Sequence, residues 1–217
     1  LFAEVRRQVA ALPGEPFVVG LGGDNSVSIP LLQAFADRHG TDAGVIWFDA
    51  HPDLFERYDG DPDSHACALR RAIDLAGLSP DRVVLLGTRS YARLEVEYLA
   101  AHGIEPITAA DWRAAGNAAV VARTRARLER CRAVYWAVDI DGFDAGIAPG
   151  TGYPMPAGVA AEDFFQVAEG LFAALPIRAM DITEIAPRLD VNDITTFLGI
   201  QIVLETAALL DRARLHM

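Results

Sequence analysis

The 217 residues carry 30 Asp plus Glu against 19 Lys plus Arg, a net charge of −11 that argues against nucleic acid or an anionic membrane as partner. A hydrophobic share of 52% and a length suited to one domain fit a globular chain with a sizeable core, and no apolar run is expected to reach membrane-spanning length. Cys67 and Cys131 are too few for a disulfide framework and fit a cytoplasmic, reducing location. Leu1 is not a start methionine, so the expectation is a single domain over 1–217 that lacks its N-terminal segment.

Glu4–Leu12 reads as a helix with Val5, Val9 and Leu12 on one face, stopped by Pro13-Gly14. Phe17–Leu21 reads as a buried strand that turns through Gly22–Ser26 into a helix over Ile29–Arg38, capped by Gly40. Strand Ala43–Phe48 follows, then a loop over Asp59–Ser64 and a helix over Cys67–Leu75 closed by Gly77. Arg82–Leu86 is a strand, Arg93–Ala101 a helix and Ile104–Ile107 a short strand. A long helix is expected through Asp111–Arg130, then strand Ala133–Val138 and a Gly/Pro-rich loop to about Gly158. A helix over Ala161–Ala173, strand Ile177–Ile182 and a helix over Ile194–Arg214 complete the chain, and His216 is terminal. Alternating strands and helices predict a mainly parallel sheet with helices on both faces, a three-layer α/β/α fold.

Chemistry-bearing residues gather after the strands. Asp49, His51 and Asp53 follow Ala43–Phe48 at alternate positions, which in extended chain share one face. Pro52 biases His51 away from helix. Asp139 and Asp141 follow Ala133–Val138 in the same way. Ligands of open parallel sheets sit outside the carboxyl ends of the strands, where these groups would pool four carboxylates and one imidazole. Their repulsion is better relieved by two divalent ions than by one, and the donor set suits manganese.

Other features admit two readings each. Gly22–Ser26 could cradle an anion or form a tight turn capped by Asp24 or Ser26, with Asn25 offering an amide oxygen to a cation. His65 could shuttle protons at the rim of a metal site or lie on a loop. Glu184 could meet a cationic substrate group, and Asp181 could pair structurally. Arg89 could meet a carboxylate or balance the acids. His39 and His102 read as partners of helix ends, and Cys67 as a buried, inert thiol.

Gly22–Asn25, Asp49–Asp53, Asp139–Asp144 with Pro149–Gly152, and Asp181–Glu184 together resemble the ureohydrolases: arginase, agmatinase, guanidinobutyrase and formimidoylglutamase. The likeness covers nearly the whole chain, with four motifs in the family's order. It implies an arginase-like fold and hydrolysis of a C–N bond in a linear amidine or guanidine. It also implies a binuclear manganese centre on Asp49, His51, Asp53, Asp139 and Asp141. His65 would relay a proton, Asp53 would hold the attacking water as well as an ion, and Glu184 would bind the substrate's NH groups. The family's assemblies imply a homo-oligomer, a trimer or hexamer. Asn25 stands where most members have a ligand histidine, so the ion nearest it is expected to bind weakly. Ala66 and Ala145 depart from a glycine and a proline of the pattern, and the family's first strand is absent. Asn25 tilts the expected substrate toward formimidoylglutamate, whereas Ser64-His65 with Arg70-Arg71 resembles agmatinase. A non-catalytic family member with a structural or regulatory place is the rival reading. A metal deacetylase of related architecture would leave Asp141 without a role.

Overall fold

Short apolar runs pair in parallel at the centre of the molecule, shown by a computed structural model that describes residues 1–215. They are β1 (Val18–Leu21), β2 (Gly44–Phe48), β3 (Val83–Leu86), β4 (Val134–Asp139) and β5 (Ile177–Thr183), in the order β1-β5-β4-β2-β3. Pairings such as Phe48 beside Val138 and Leu86, and Asp139 beside Thr183, bring several strand ends to one edge of the sheet. The chain leaves β2 toward β3 and leaves β4 toward β5, in opposite directions. A crevice therefore opens at the C-terminal ends of β2 and β4.

Alternate residues of each strand feed two cores. Val45, Trp47, Leu85, Tyr135 and Ala179 face a layer made by α1 (Phe2–Ala10), α2 (Ser28–His39), α3 (Ala68–Ala76) and α4 (Arg93–Ala101), through Val5, Ile29, Phe35, Leu69 and Leu99. Phe48, Leu86, Trp136, Val138 and Ile182 face α5 (Ala109–Ala115), α6 (Asn117–Leu128), α7 (Ala161–Ala174) and α8 (Ile194–Leu215), through Trp112, Val120, Phe164 and Ile202. Phe48 is ringed by Phe143, Phe164 and Trp112, with centroids 4.9, 4.8 and 6.2 Å away. The expected three layers are all present.

Four local expectations change. The strand expected to be buried at Phe17–Leu21 is only half-covered and leaves Leu21 exposed, because β1 lies at the edge of the sheet. The helix foreseen over Asp111–Arg130 is two, because Gly116 at φ 81° ends α5 and begins α6. Only a residue without Cβ takes that conformation cheaply. The strand foreseen at Ile104–Ile107 contributes a single bridge between Ile107 and Leu86, since Pro106 has no N–H to extend a ladder. Finally, Ile194–Arg212 of α8 does reach membrane-spanning length and apolarity. In this fold it lies along the sheet, burying Ile202 and Thr206, whose hydroxyl contacts the Met180 sulfur at 3.3 Å. The terminal His216 lies outside the described residues.

Candidate metal centre and active site

Asp49, His51 and Asp53 converge at the crevice, but not as an extended strand. β2 ends at Phe48, and the chain then turns on the Asp49 carboxylate, which accepts the His51 N–H at 2.6 Å. Asp53 sits at φ 51°, a left-handed conformation that turns it back toward Asp49. That conformation is strained for aspartate, and its neighbours impose it. The Arg70 N–H binds the Asp53 carbonyl at 3.1 Å, and buried Glu95 accepts the next N–H, from Leu54, at 3.0 Å. Glu95 also takes the Ala92 N–H at 2.9 Å, and burial pushes its carboxyl above the usual range.

The second acidic segment is built similarly. Asp139, the last residue of β4, accepts the Asp141 N–H at 2.8 Å, and Asp141 accepts the Ala50 N–H at 3.1 Å. The two segments are thus hydrogen-bonded to each other. Gly142 permits this closeness, since a Cβ there would lie 2.5 Å from the Phe48 ring. The His51 Nδ1 lies 3.1 Å from Asp141 and 3.4 Å from Asp49. Ligand atoms of Asp49, His51 and Asp141 all fall within 4.8 Å of one another.

The electrostatics favour a cation. Burial and the charge of Asp141 raise Asp49 to about 7, and burial with neighbouring acids lifts Asp53 and Asp139 well above the usual range. Desolvation works to lower His51, but Asp141 and Asp49 outweigh it and carry its pKa to about 11. Carboxylates this crowded and this buried fit a divalent ion at Asp49, His51 and Asp141.

Asn25 behaves differently from an oxygen ligand. Its amide nitrogen donates toward Asp139, Asp53 and Asp49 at 2.6, 2.8 and 3.1 Å, while its oxygen accepts from the Thr183 hydroxyl. Its backbone N–H binds Glu184 at 3.1 Å. Glu184 stands just beyond β5 at φ 62°, held by its own N–H on the Gly23 carbonyl at 2.8 Å. Burial raises its carboxyl above the usual range.

A cavity of about 130 Å³ joins these groups, lined by Asn25, His51, Asp53, Asp139, Asp141 and Glu184 below and by His65 toward the mouth. His65 stacks on Tyr153, centroids 6.0 Å apart, and lies 5.8 Å from the Tyr58 ring. Every expected site residue therefore meets at one place, Asp49 lying behind the lining, bound by the Trp47 indole N–H at 3.0 Å.

Sequence reasoning missed Tyr153, Phe55, Tyr58 and Glu95, which also line the cavity. Tyr153 directly follows the Pro149–Gly152 motif, which is a signal for it; the others sit in loops or helix starts without one. Arg89 hydrogen-bonds no carboxylate among the described residues, but its charge does lie in the field of Asp141, Asp49 and Asp144 and balances them at a distance. Its guanidinium binds backbone carbonyls of Asp141, Phe143, Met155 and Pro156 at 2.8–3.0 Å, pinning the loop after β4. Asp24 caps the turn after β1 through the Ser26 N–H at 3.0 Å, so that turn is a cap and not an anion cradle. Asp181 pairs with the buried Tyr135 hydroxyl at 2.7 Å, His102 binds the Tyr98 carbonyl at 2.8 Å, and Cys67 and Cys131 are free and buried.

The chain is similar to proteins of one family. Mitochondrial agmatinase of Gallus gallus is 33% identical over 88% of this chain and 56% of its own length. Formimidoylglutamase of Halalkalibacterium halodurans is 32% identical over 85% of this chain and 58% of its own. The agmatine ureohydrolase of Thermoplasma volcanium superposes with a TM-score of 0.88 at 28% identity, covering 100% of this chain and 70% of that one. The chain thus spans little more than half the length of the two curated relatives. The family profile described as the arginase family matches residues 2–208. On that match, and on the acid-rich strand ends that carry it, the chain belongs to the arginase family.

Proposed function

We propose that the chain is a manganese-dependent hydrolase that cleaves a C–N bond in a linear guanidine whose far end is cationic. The observation that carries this reading is the convergence of Asp49, His51 and Asp141 with His65 and Glu184 around one cavity. A divalent ion held at the carboxylates and His51 supplies Lewis acidity and lowers the pKa of water.

The chain's own groups do the rest. One Glu184 oxygen is engaged by the Asn25 N–H, which leaves the other to accept N–H groups of a planar guanidinium by charge-assisted bonds. Water adds to the central carbon, a C–N bond breaks, and the proton that water loses ends on the departing amine. His65, at the rim and held by its stack on Tyr153, is placed to carry that proton.

The wall of the cavity supports one kind of tail. Among the described residues its lining holds no Lys or Arg, but it does hold Phe55, Tyr58 and Tyr153 above a floor of acids. A carboxylate tail would lose its hydration there without a partner, whereas a cationic tail gains the aromatic faces and the field of the acids. This supports an agmatine-type substrate over the formimidoylglutamate suggested by Asn25. Arg70 and Arg71 do not alter the balance, since they engage Tyr98 and Asp63. A cytoplasmic homo-oligomer, trimer or hexamer, belongs to the same reading, and the exposed Phe197, Ile200 and Leu204 of α8 offer apolar surface for it.

Assays of agmatine, guanidinobutyrate, arginine and formimidoylglutamate with added manganese test the proposal. A kcat/KM highest for agmatine is expected. Preference for a carboxylate-bearing compound would refute the tail assignment, and no turnover of any would favour the non-catalytic reading.

A further inference from the structure

We infer that this protein holds one metal ion and not two, because the amide of Asn25 occupies the place of the second. The inference rests on the metal-dependent reading above and concerns how many ions that site accepts. Asp49, Asp53 and Asp139 are the carboxylates that a second ion would need, and all three face the same nitrogen of Asn25 within 3.1 Å. Asn25 is 4% exposed, so its amide has no alternative solvent partners.

Its orientation is fixed by chemistry and not by choice of rotamer alone. The Thr183 hydroxyl donates to the amide oxygen, and that oxygen carries no hydrogen to offer a carboxylate, so the NH₂ must point at the acids. An amide carries two N–H bonds. Three carboxylates within reach therefore share them, and together they saturate the donor side of the group. Turning the oxygen inward to ligate an ion would break the Thr183 bond and aim a partial negative charge at three acids until the ion arrived. The amide is thus a neutral, permanent substitute that partly satisfies these acids without metal. Asp141 and His51 lie outside its reach, and with Asp49 they form the cluster left for an ion.

The test uses the whole chain, stripped of metal, reloaded with manganese and passed through a desalting column. Elemental analysis is expected to give one manganese per chain, with the six-line electron paramagnetic resonance spectrum of an isolated ion. Asn25→His should raise the count to two and broaden the spectrum through coupling of neighbouring ions. Thr183→Val, which frees the amide oxygen to turn, should also raise uptake above one. Two coupled ions in the native protein would overturn the inference while leaving metal-dependent hydrolysis intact. No bound ion at all would refute the functional reading and this inference together. A native count of one that stays at one in both variants would show that something other than the amide excludes the second ion, and would equally overturn it.

Discussion

At the scale of single residues, the site uses groups that ordinary solvent would not hold where they are. Among the described residues His65 hydrogen-bonds no carboxylate, and it is positioned by aromatic stacking. His65→Ala is therefore expected to lower kcat by about 10²–10⁴-fold while manganese content stays unchanged, as measured by turnover and elemental analysis on the same preparation. Asp181 offers a test of burial without metal. Burial raises its pKa to about 6, despite the nearby Ser28 hydroxyl and the hydrogen bond from the Tyr135 hydroxyl, which act to lower it. A folded-state pKa above the unfolded value means that ionisation costs stability. The protein is most favoured below the unfolded value of about 3.9 and loses that advantage as pH rises through about 6. Asp181→Asn cannot ionise, so its melting temperature relative to the parent should climb between pH 4 and pH 6 and then level off. A flat difference across that range would contradict the assignment. Residue identities were largely legible in the sequence, since Asp49, His51, Asp53, Asp139 and Asp141 all reach the crevice. Their geometry was not. Alternation along a strand was expected to bring Asp53 round, but the strand stops at Phe48 and a left-handed Asp53 held by Arg70 does so. Bonds from distant segments, the Arg70 N–H and the Glu95 carboxylate, impose that conformation.

At the scale of elements, the sequence showed where apolar periodicity lay and was weaker on how elements end. Arg93–Ala101 was foreseen with its observed bounds, because charged residues and Gly103 frame it. The break at Gly116 was overlooked because the apolar pattern runs on through α5 and α6. The buried Trp112, whose indole N–H binds Asn117 at 2.7 Å, fastens the two pieces across it. The start of α8 is set by Asp190, which accepts the Thr195 and Thr196 N–H groups at 3.1 and 2.8 Å and the Thr196 hydroxyl at 2.9 Å. Thr195 in turn accepts the Gly150 N–H at 2.7 Å, so the cap reaches the Pro149–Gly152 loop beside the cavity. Desolvation works to raise Asp190, but the bonds from Thr196 and Thr195 outweigh it and hold its carboxyl far below the usual range. With a depressed pKa, its contribution is present above about pH 4 and fades as pH falls further. Asp190→Ala is expected to cost about 1 kcal/mol at pH 7, the usual worth of a cap, and progressively less in acid, as read by chemical denaturation at several pH values.

For the whole molecule, the acidic balance that spoke against nucleic acid is partly concentrated in this one crevice. Relief of that repulsion should appear as stability. At a hundredfold excess over its dissociation constant, manganese should add about 2.7 kcal/mol, or roughly 5–11 °C in melting temperature for a chain this size. An unchanged midpoint after verified stripping and reloading would contradict a folded-state site. The sheet order also has a consequence for how the protein is made. β1 closes against β5, so Asn25 meets Glu184 from 159 residues away, and neither can find the other until the segment through Glu184 has left the ribosome. The acids of residues 49–53 and 139–141 emerge earlier, before the last strand and helix exist to position them. Such distant closure is slow. A nascent chain should thus pass through a long interval in which it displays its acids before Asn25 and Glu184 can meet over them, and completion of the substrate cavity during refolding should coincide with the slowest step.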